Sequence, residues 1–217
     1  IRIGSGRSLR NDCAVMTLWR GDLPLILASQ SSARRMLLAN AGLACEAVPA
    51  DIDERAIQQS AGLVASSEIA LHLARAKAMA VSAHKPGHHV IGADQTLALG
   101  MRLFNKPGGR DQAAAQLLAL AGRTHELHAA VVVARDGTLL FEHVSVARMR
   151  MRPMTESTIA AYLDHAGDAV MSSVGAYQLE GLGVHLFERI DGDHFTILGL
   201  PLLPLLAFLR DARLLEI

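Results

Sequence analysis

Leu25-Ile-Leu-Ala-Ser-Gln-Ser-Ser-Ala-Arg-Arg-Met-Leu-Leu38 runs from a short apolar strand through four polar residues into an apolar helix opened by two arginines. A strand that ends in Ser29, Ser31 and Ser32 offers hydroxyls and turn N–H groups beside the positive end of a helix dipole. Arg34 and Arg35 add guanidinium charge. That combination suits a phosphate group. The same residues also suit a plain helix N-cap followed by two solvated arginines.

Outward from this unit, strands and helices alternate. Leu25–Ala28 reads as a strand, Ala33–Ala41 as a helix stopped at Gly42, and Cys45–Val48 as a second strand leading to Asp51-Ile-Asp-Glu54. Ser67–Ala83 has helical spacing of alanine and leucine. Val90-Ile-Gly-Ala-Asp-Gln-Thr96 is a buried strand that ends polar, and Arg110–Leu120 is a helix after the loop Asn105-Lys-Pro-Gly-Gly109. His128–Arg135 and Leu139–Val146 form a hairpin about Asp136-Gly137, Met154–His165 is helical, and a last helix holds Phe208 and runs to Leu214. The pattern predicts an α/β fold with a mixed sheet.

The chain has 217 residues, 51% of them hydrophobic, enough to bury a sizeable core. Its 21 basic residues balance 21 acidic ones, so no net field draws it to a nucleic-acid polymer or an anionic membrane. The longest apolar run, Ile197 to Leu209, is too short to span a bilayer and holds Pro201 and Pro204. Two cysteines, Cys13 and Cys45, suit a reducing cytoplasm. The glycine-, serine- and arginine-rich Ile1–Val15 reads as an upstream extension or cloning remnant, disordered in part and reaching to about residue 22, with Met16 a candidate start. Residues 23–217 are then expected to form one domain of two lobes.

Asp94 is the strongest single candidate for chemistry, because a carboxylate at the carboxyl end of a buried strand lies where open α/β sheets hold ligands. An aspartate there also caps turns. Glu54 is a second hard oxygen donor, and one or two carboxylates plus substrate phosphates are what magnesium or manganese takes. The ten histidines show no zinc-ligand spacing, and Walker-A and Gly-x-Ser-x-Gly loops are absent from the sequence. Asp191-Gly-Asp193 has only the beginning of a calcium loop.

Taken in order, Ala28-Ser-Gln-Ser-Ser-Ala-Arg-Arg35, Asp51-Ile-Asp-Glu54, Leu73-Ala-Arg-Ala-Lys77, Ile91-Gly-Ala-Asp94 and Lys106-Pro107 resemble the Maf family of nucleoside triphosphate pyrophosphatases. Gly122-Arg-Thr-His125, Gly175-Ala-Tyr177, Glu180-Gly-Leu-Gly183 and Gly199-Leu-Pro201 continue the likeness, which spans Leu25 to Arg210. It implies an ITPase-like fold, a mixed twisted sheet with two lobes around a deep cleft, and a homodimer. It also implies a house-cleaning hydrolase that cuts a nucleoside triphosphate between its α and β phosphates with Mg2+ or Mn2+.

By position, the resemblance assigns the triphosphate to Ser29, Ser31, Arg34, Lys77 and Lys106, with Lys106 also in the catalytic set. Asp94 becomes the proton acceptor or, alternatively, a ligand of the metal that lowers the water's pKa, and Glu54 assists the metal or water. Three departures bear on the base. Ala33 stands where the family often has the first arginine of Ser-Pro-Arg-Arg, Gln95 where the dTTP/UTP-preferring branch has Thr, and Glu180 where that branch has Gln. Gln95 with Glu180 is similar to the branch that prefers 7-methyl-GTP, although that branch carries a bulkier residue at Ala33. A carboxylate at Glu180 accepts hydrogen bonds only, which suits a guanine-type N–H pair or a cytosine amino group. Ser172-Ser173 replaces the family's Asp-Lys. The rival expectation is a nucleotide-binding regulator of cell division that turns over little or nothing.

Overall fold

The computed structural model describes residues 18–60, 62 and 65–217, with the backbone alone at 59 and 60. Its centre is a seven-stranded mixed sheet in the order β2-β1-β3-β5-β6-β7. The strands are β1 (Leu25–Leu27), β2 (Cys45–Ala47), β3 (Val90–Leu99), β4 (Arg102–Phe104), β5 (Thr124–Arg135), β6 (Thr138–Met151) and β7 (Phe187–Asp191). β1 lies parallel to β2 and β3, and the remaining pairings are antiparallel, with β4 folding back on the end of β3. Leu25, Ile26 and Leu27 are wholly buried because helices cover both faces of this parallel part.

Among the described residues seven α-helices accompany the sheet: α1 (Ser32–Asn40), α2 (Glu54–Ser60), α3 (Ser66–Ser82), α4 (Arg110–Leu120), α5 (Glu156–Ala166), α6 (His194–Ile197) and α7 (Leu202–Asp211). Leu37 and Leu38 of α1, with Leu202, Leu205 and Leu209 of α7, pack on one face against Ile91, Val131 and Val133. On the opposite face, Ala70, Ala74 and Ala78 of α3 meet Ala130, Val132 and Ala134. Small residues on both sides let this helix lie close to the sheet. Gly92 brings it closer still: a Cβ there would overlap Ala74's carbonyl oxygen and come within 2.8 Å of Ala78 Cβ.

Further along the first face, Leu97, Leu127 and Met149 belong to a second core with α4, α5 and Tyr177. The two cores share the long strands β3, β5 and β6 and leave a gap between them. β1 stops at Leu27, paired with Ile91, whereas β3 runs on to Leu99. Side chains from both faces of β3 therefore reach the same open space beyond the carboxyl end of β1. α1 and α3 leave opposite faces at this point, which is where doubly wound sheets form their ligand crevice.

The expected elements are present with small shifts in their ends. The hairpin strands grow longer, and Asp136 and Gly137 both take positive φ, 50° and 73°, the geometry that closes a two-residue hairpin. The sequence pattern did not bring out α2, β4, β7, α6 or the three 3-10 turns between Gly167 and Leu186. These are short, and tertiary contacts outweigh local periodicity in such pieces. Of the extension expected over residues 1–22, residues 1–17, with Cys13 and Met16, lie outside the described residues. Leu18–Arg20 are packed: Leu18 N–H donates to Gly42, Arg20 N–H to Leu214, and the Arg20 guanidinium pairs with Glu216 at 2.7 Å.

Candidate active site

Ser31 is the N-cap of α1, its hydroxyl accepting from Arg34 N–H at 3.3 Å. Ser29 lies two residues earlier and is buried, its Oγ accepting from Ser31 N–H at 3.2 Å and from Arg34 Nη1 at 3.0 Å. Arg34 also donates through Nη1 to Ala93 O and through Nε to Gly199 O, both at 2.8 Å. Three of its five N–H donors are thus committed, one to Ser29 in the preceding loop, one to β3 and one to the turn before α7, and the Nη2 pair has no hydrogen-bond partner among the described residues. Burial lowers the Arg34 pKa, opposed by the charges of Asp94 and Glu54. Ser32 and Arg35 are exposed, and Arg35 lies outside the cleft lining.

Across the cleft floor, Lys77 of α3 points at the Asp94 carboxylate, with Nζ 2.5 Å from Oδ1, and at Glu54 Oε1, 2.9 Å away. Lys77, which by itself reads as a surface lysine, is buried, and so is Asp94. Glu54 opens α2 and stays exposed, while Asp53 Oδ1 caps that helix by accepting from Ala56 N–H at 2.9 Å. Burial pushes the Asp94 pKa upward, against the pull first of Lys77 and then of Arg34.

Two carboxylates that converge on one ammonium fit a divalent ion, since magnesium or manganese accepts one or two carboxylates and fills its shell with phosphate oxygens and water. Among the described residues no group of three or more His, Cys, Asp or Glu stands ready to cage a metal unaided. Such an ion would therefore share its coordination with a ligand.

Ser29, Ser31, Ala33, Arg34, Glu54, Lys77, Asp94, Gln95, Lys106 and Glu180, the residues selected from sequence, all line one cleft of ≈ 1240 Å³. Lys106 is exposed at the rim, next to Asn105, whose carbonyl accepts from Gln116 Nε2 at 2.9 Å. Glu180 is exposed on the wall built from the 3-10 turns, where Ser172 and Ser173 also face the opening. Gln95 Nε2 donates to the carbonyls of Thr196 (2.9 Å) and Ile197 (3.1 Å).

Sequence reasoning missed Arg55, a further exposed cation of the lining carried by α2, and the buried Thr196 beneath Gln95. Arg55 directly follows the acidic run, so its neighbourhood was visible although its direction was not. Asp193, part of the rejected calcium-loop pattern, is the N-cap of α6, and Asp is a preferred N-cap residue.

The sequence profile described as Maf-like protein matches residues 24–212. The chain belongs to the Maf family. Among Maf relatives, a nucleoside triphosphate pyrophosphatase of Bradyrhizobium diazoefficiens is 70% identical over 202 residues, 93% of this chain and 100% of the relative. A protein of the same name from Nitrobacter winogradskyi is 65% identical over 202 residues, again 93% of this chain and 100% of the relative. A 7-methyl-GTP pyrophosphatase of Rhizobium etli is 56% identical, covering 86% of this Maf chain and 95% of its own length. No helix among the described residues is long and apolar enough to cross a membrane.

Proposed function

We propose that this Maf protein hydrolyses a nucleoside triphosphate between its α and β phosphates, releasing the monophosphate and pyrophosphate. The carrying observation is that Lys77, bound to both Asp94 and Glu54, shares one cleft with Arg34, Arg55 and Lys106. Anhydride hydrolysis needs charge neutralised on the phosphates and an oriented water more than it needs covalent catalysis. The serine loop and the α1 N-terminus hold phosphate oxygens, and the Arg34 Nη2 pair and Lys106 carry the compensating charge.

Asp94 accepts the proton of the attacking water. Its raised pKa makes it a stronger base than an exposed carboxylate, and Lys77 keeps it ionised in a buried place. Asp94 and Glu54 are the residues that would hold a divalent ion, which would supply Lewis-acid polarisation of the phosphate and acidify the water. Ala33, Gln95 and Glu180 line the same cleft and read the base, and Gln95 with Glu180 favours 7-methyl-GTP or a related modified nucleotide over dTTP and UTP. The relative named as a 7-methyl-GTP pyrophosphatase supports that preference. The enzyme works in the cytoplasm as a house-cleaning hydrolase.

The test is pyrophosphate release from a panel of nucleoside triphosphates with Mg2+ or Mn2+, comparing the protein with Asp94→Asn. Turnover that falls by about 10²–10⁴-fold in the variant is expected. A wild-type protein that binds the nucleotides without turnover would overturn the reading.

A further inference from the structure

The Gln95 side chain has a polarity fixed by its surroundings. Its Nε2 group faces two backbone carbonyls, of Thr196 at 2.9 Å and Ile197 at 3.1 Å. Both amide protons are consumed there, and turning the amide over would set its oxygen against two carbonyl oxygens. Oε1 takes no hydrogen bond from any described residue and lies by the cleft, 3.5 Å from where a Cβ on Gly199 would stand. Gly199 has φ +88°, so a side chain there is disfavoured by backbone geometry, and no Cβ fills the point that Oε1 shares with Arg34 Nε and Nη2, each 3.4 Å from it.

The two carbonyls belong to α6, a single turn too short to hold itself in place. Asp193 holds it. One carboxylate oxygen accepts from Phe195 N–H at 3.4 Å, and the other accepts from Thr196 N–H at 3.0 Å and from Thr196 Oγ1 at 2.9 Å. Thr196 is 1% exposed, so its side of the network is shielded from competing water, while Asp193 is half-buried.

We infer that Asp193 is a positioning residue for base selection: by capping α6 it aims two carbonyls at Gln95 Nε2 and so presents Gln95 to the cleft as an acceptor only. Resting on the nucleotide-hydrolase reading, this leaves both polar base-reading groups, Gln95 Oε1 and the Glu180 carboxylate, as acceptors. They take a base edge that carries donors, as the N1–H and 2-amino group of a guanine do. Without the cap, Gln95 is free to rotate and to donate, and bases rich in acceptors gain.

The experiment measures kcat/KM for 7-methyl-GTP and UTP in the wild type, Asp193→Ala and Asp193→Asn. Asparagine keeps a cap acceptor and should keep the wild-type ratio. Alanine should cut the ratio at least about tenfold, mainly through KM, since a donor–acceptor mismatch is discriminated strongly. An alanine variant that slows both substrates alike with an unchanged ratio overturns the inference and leaves the hydrolase reading intact. Wild-type protein inert towards every nucleotide overturns both.

A second measurement needs only the wild-type chain. The Gln95 side-chain amide protons, assigned by their loss in Gln95→Met, should resist solvent exchange in the free protein and after a nonhydrolysable 7-methyl-GTP analogue binds. Rapid exchange in either state overturns the lock.

Discussion

Lys77 Nζ lies 2.5 Å from Asp94 Oδ1, tying the middle of α3 to β3 at the point where β3 has passed the end of β1. Both groups are buried, so the pair is a charge compensation as much as a contact. Removing one partner of such a pair leaves an uncompensated buried charge, at a cost of about 3–5 kcal/mol.

Lys77→Met removes the largest influence that holds the Asp94 pKa down, because Lys77 opposes the burial that raises it. In the proposed role of Asp94 the carboxylate form accepts the proton, so activity should be lost as pH falls through the Asp94 pKa. In the variant that acid limb should move to higher pH. Stability follows the opposite sign: a raised carboxyl pKa favours the folded state at low pH and that advantage is lost as pH rises through it. The variant should therefore be most destabilised above neutrality. Rate profiles and urea unfolding at pH 5 and pH 8 check both statements.

Gly92→Ala is expected to destabilise the protein by about 2–4 kcal/mol and to slow turnover, through overpacking between β3 and α3. The added Cβ would press on Ala74 and Ala78, one turn before and one residue after Lys77. Backbone separation of α3 from β3 pulls Lys77 from Asp94, so the acid limb should shift as in Lys77→Met. A variant with wild-type melting and an unmoved limb would show that the close approach is unimportant.

His125 is 0% exposed, and burial lowers its pKa to about 4; its Nε2 meets Tyr177 Oη at 2.8 Å. The unfolded chain binds a proton near pH 6.5 that the folded chain refuses until about pH 4. Unfolding is therefore favoured progressively as pH falls from 6.5 towards 4, by about 2 kcal/mol at pH 5 relative to pH 8. His125→Phe should flatten the dependence of unfolding free energy on pH by that amount. Equal slopes in the two proteins would mean that His125 is not held neutral.

Glu180→Gln exchanges an acceptor for a group that both donates and accepts, on an exposed part of the cleft wall. The kcat/KM ratio of 7-methyl-GTP to UTP should fall by at least about tenfold, with the fold unaffected. If base preference stays put, the carboxylate does not read the base.

Much of the fold was legible because its signals are local. Leu25–Leu27 and Val90–Thr96 are apolar runs of strand length, α3 repeats small apolar residues with helical spacing, and Asp136-Gly137 closes a hairpin by its own backbone preference. α6 and β7 were not legible, since four or five residues carry too few periods to show a pattern and gain their stability from neighbours. At the site the residue types were readable. Their directions were not, as in Lys77, whose burial depends on a helix brought against β3 by Gly92.

By itself, the order of chemical groups along the chain determined an α/β architecture, a serine–arginine loop at Ser29–Arg34 whose groups suit a phosphate, and a carboxylate at the end of a buried strand. Tertiary structure alone decided how those groups spend their hydrogen-bonding capacity. Arg34 commits three donors to Ser29, Ala93 and Gly199, and Gln95 commits both amide protons to Thr196 and Ile197. The partners of these bonds lie up to 165 residues away in sequence, and backbone carbonyls look alike in every residue. No local pattern can announce a bond to an acceptor that acquires its position only when distant segments pack together.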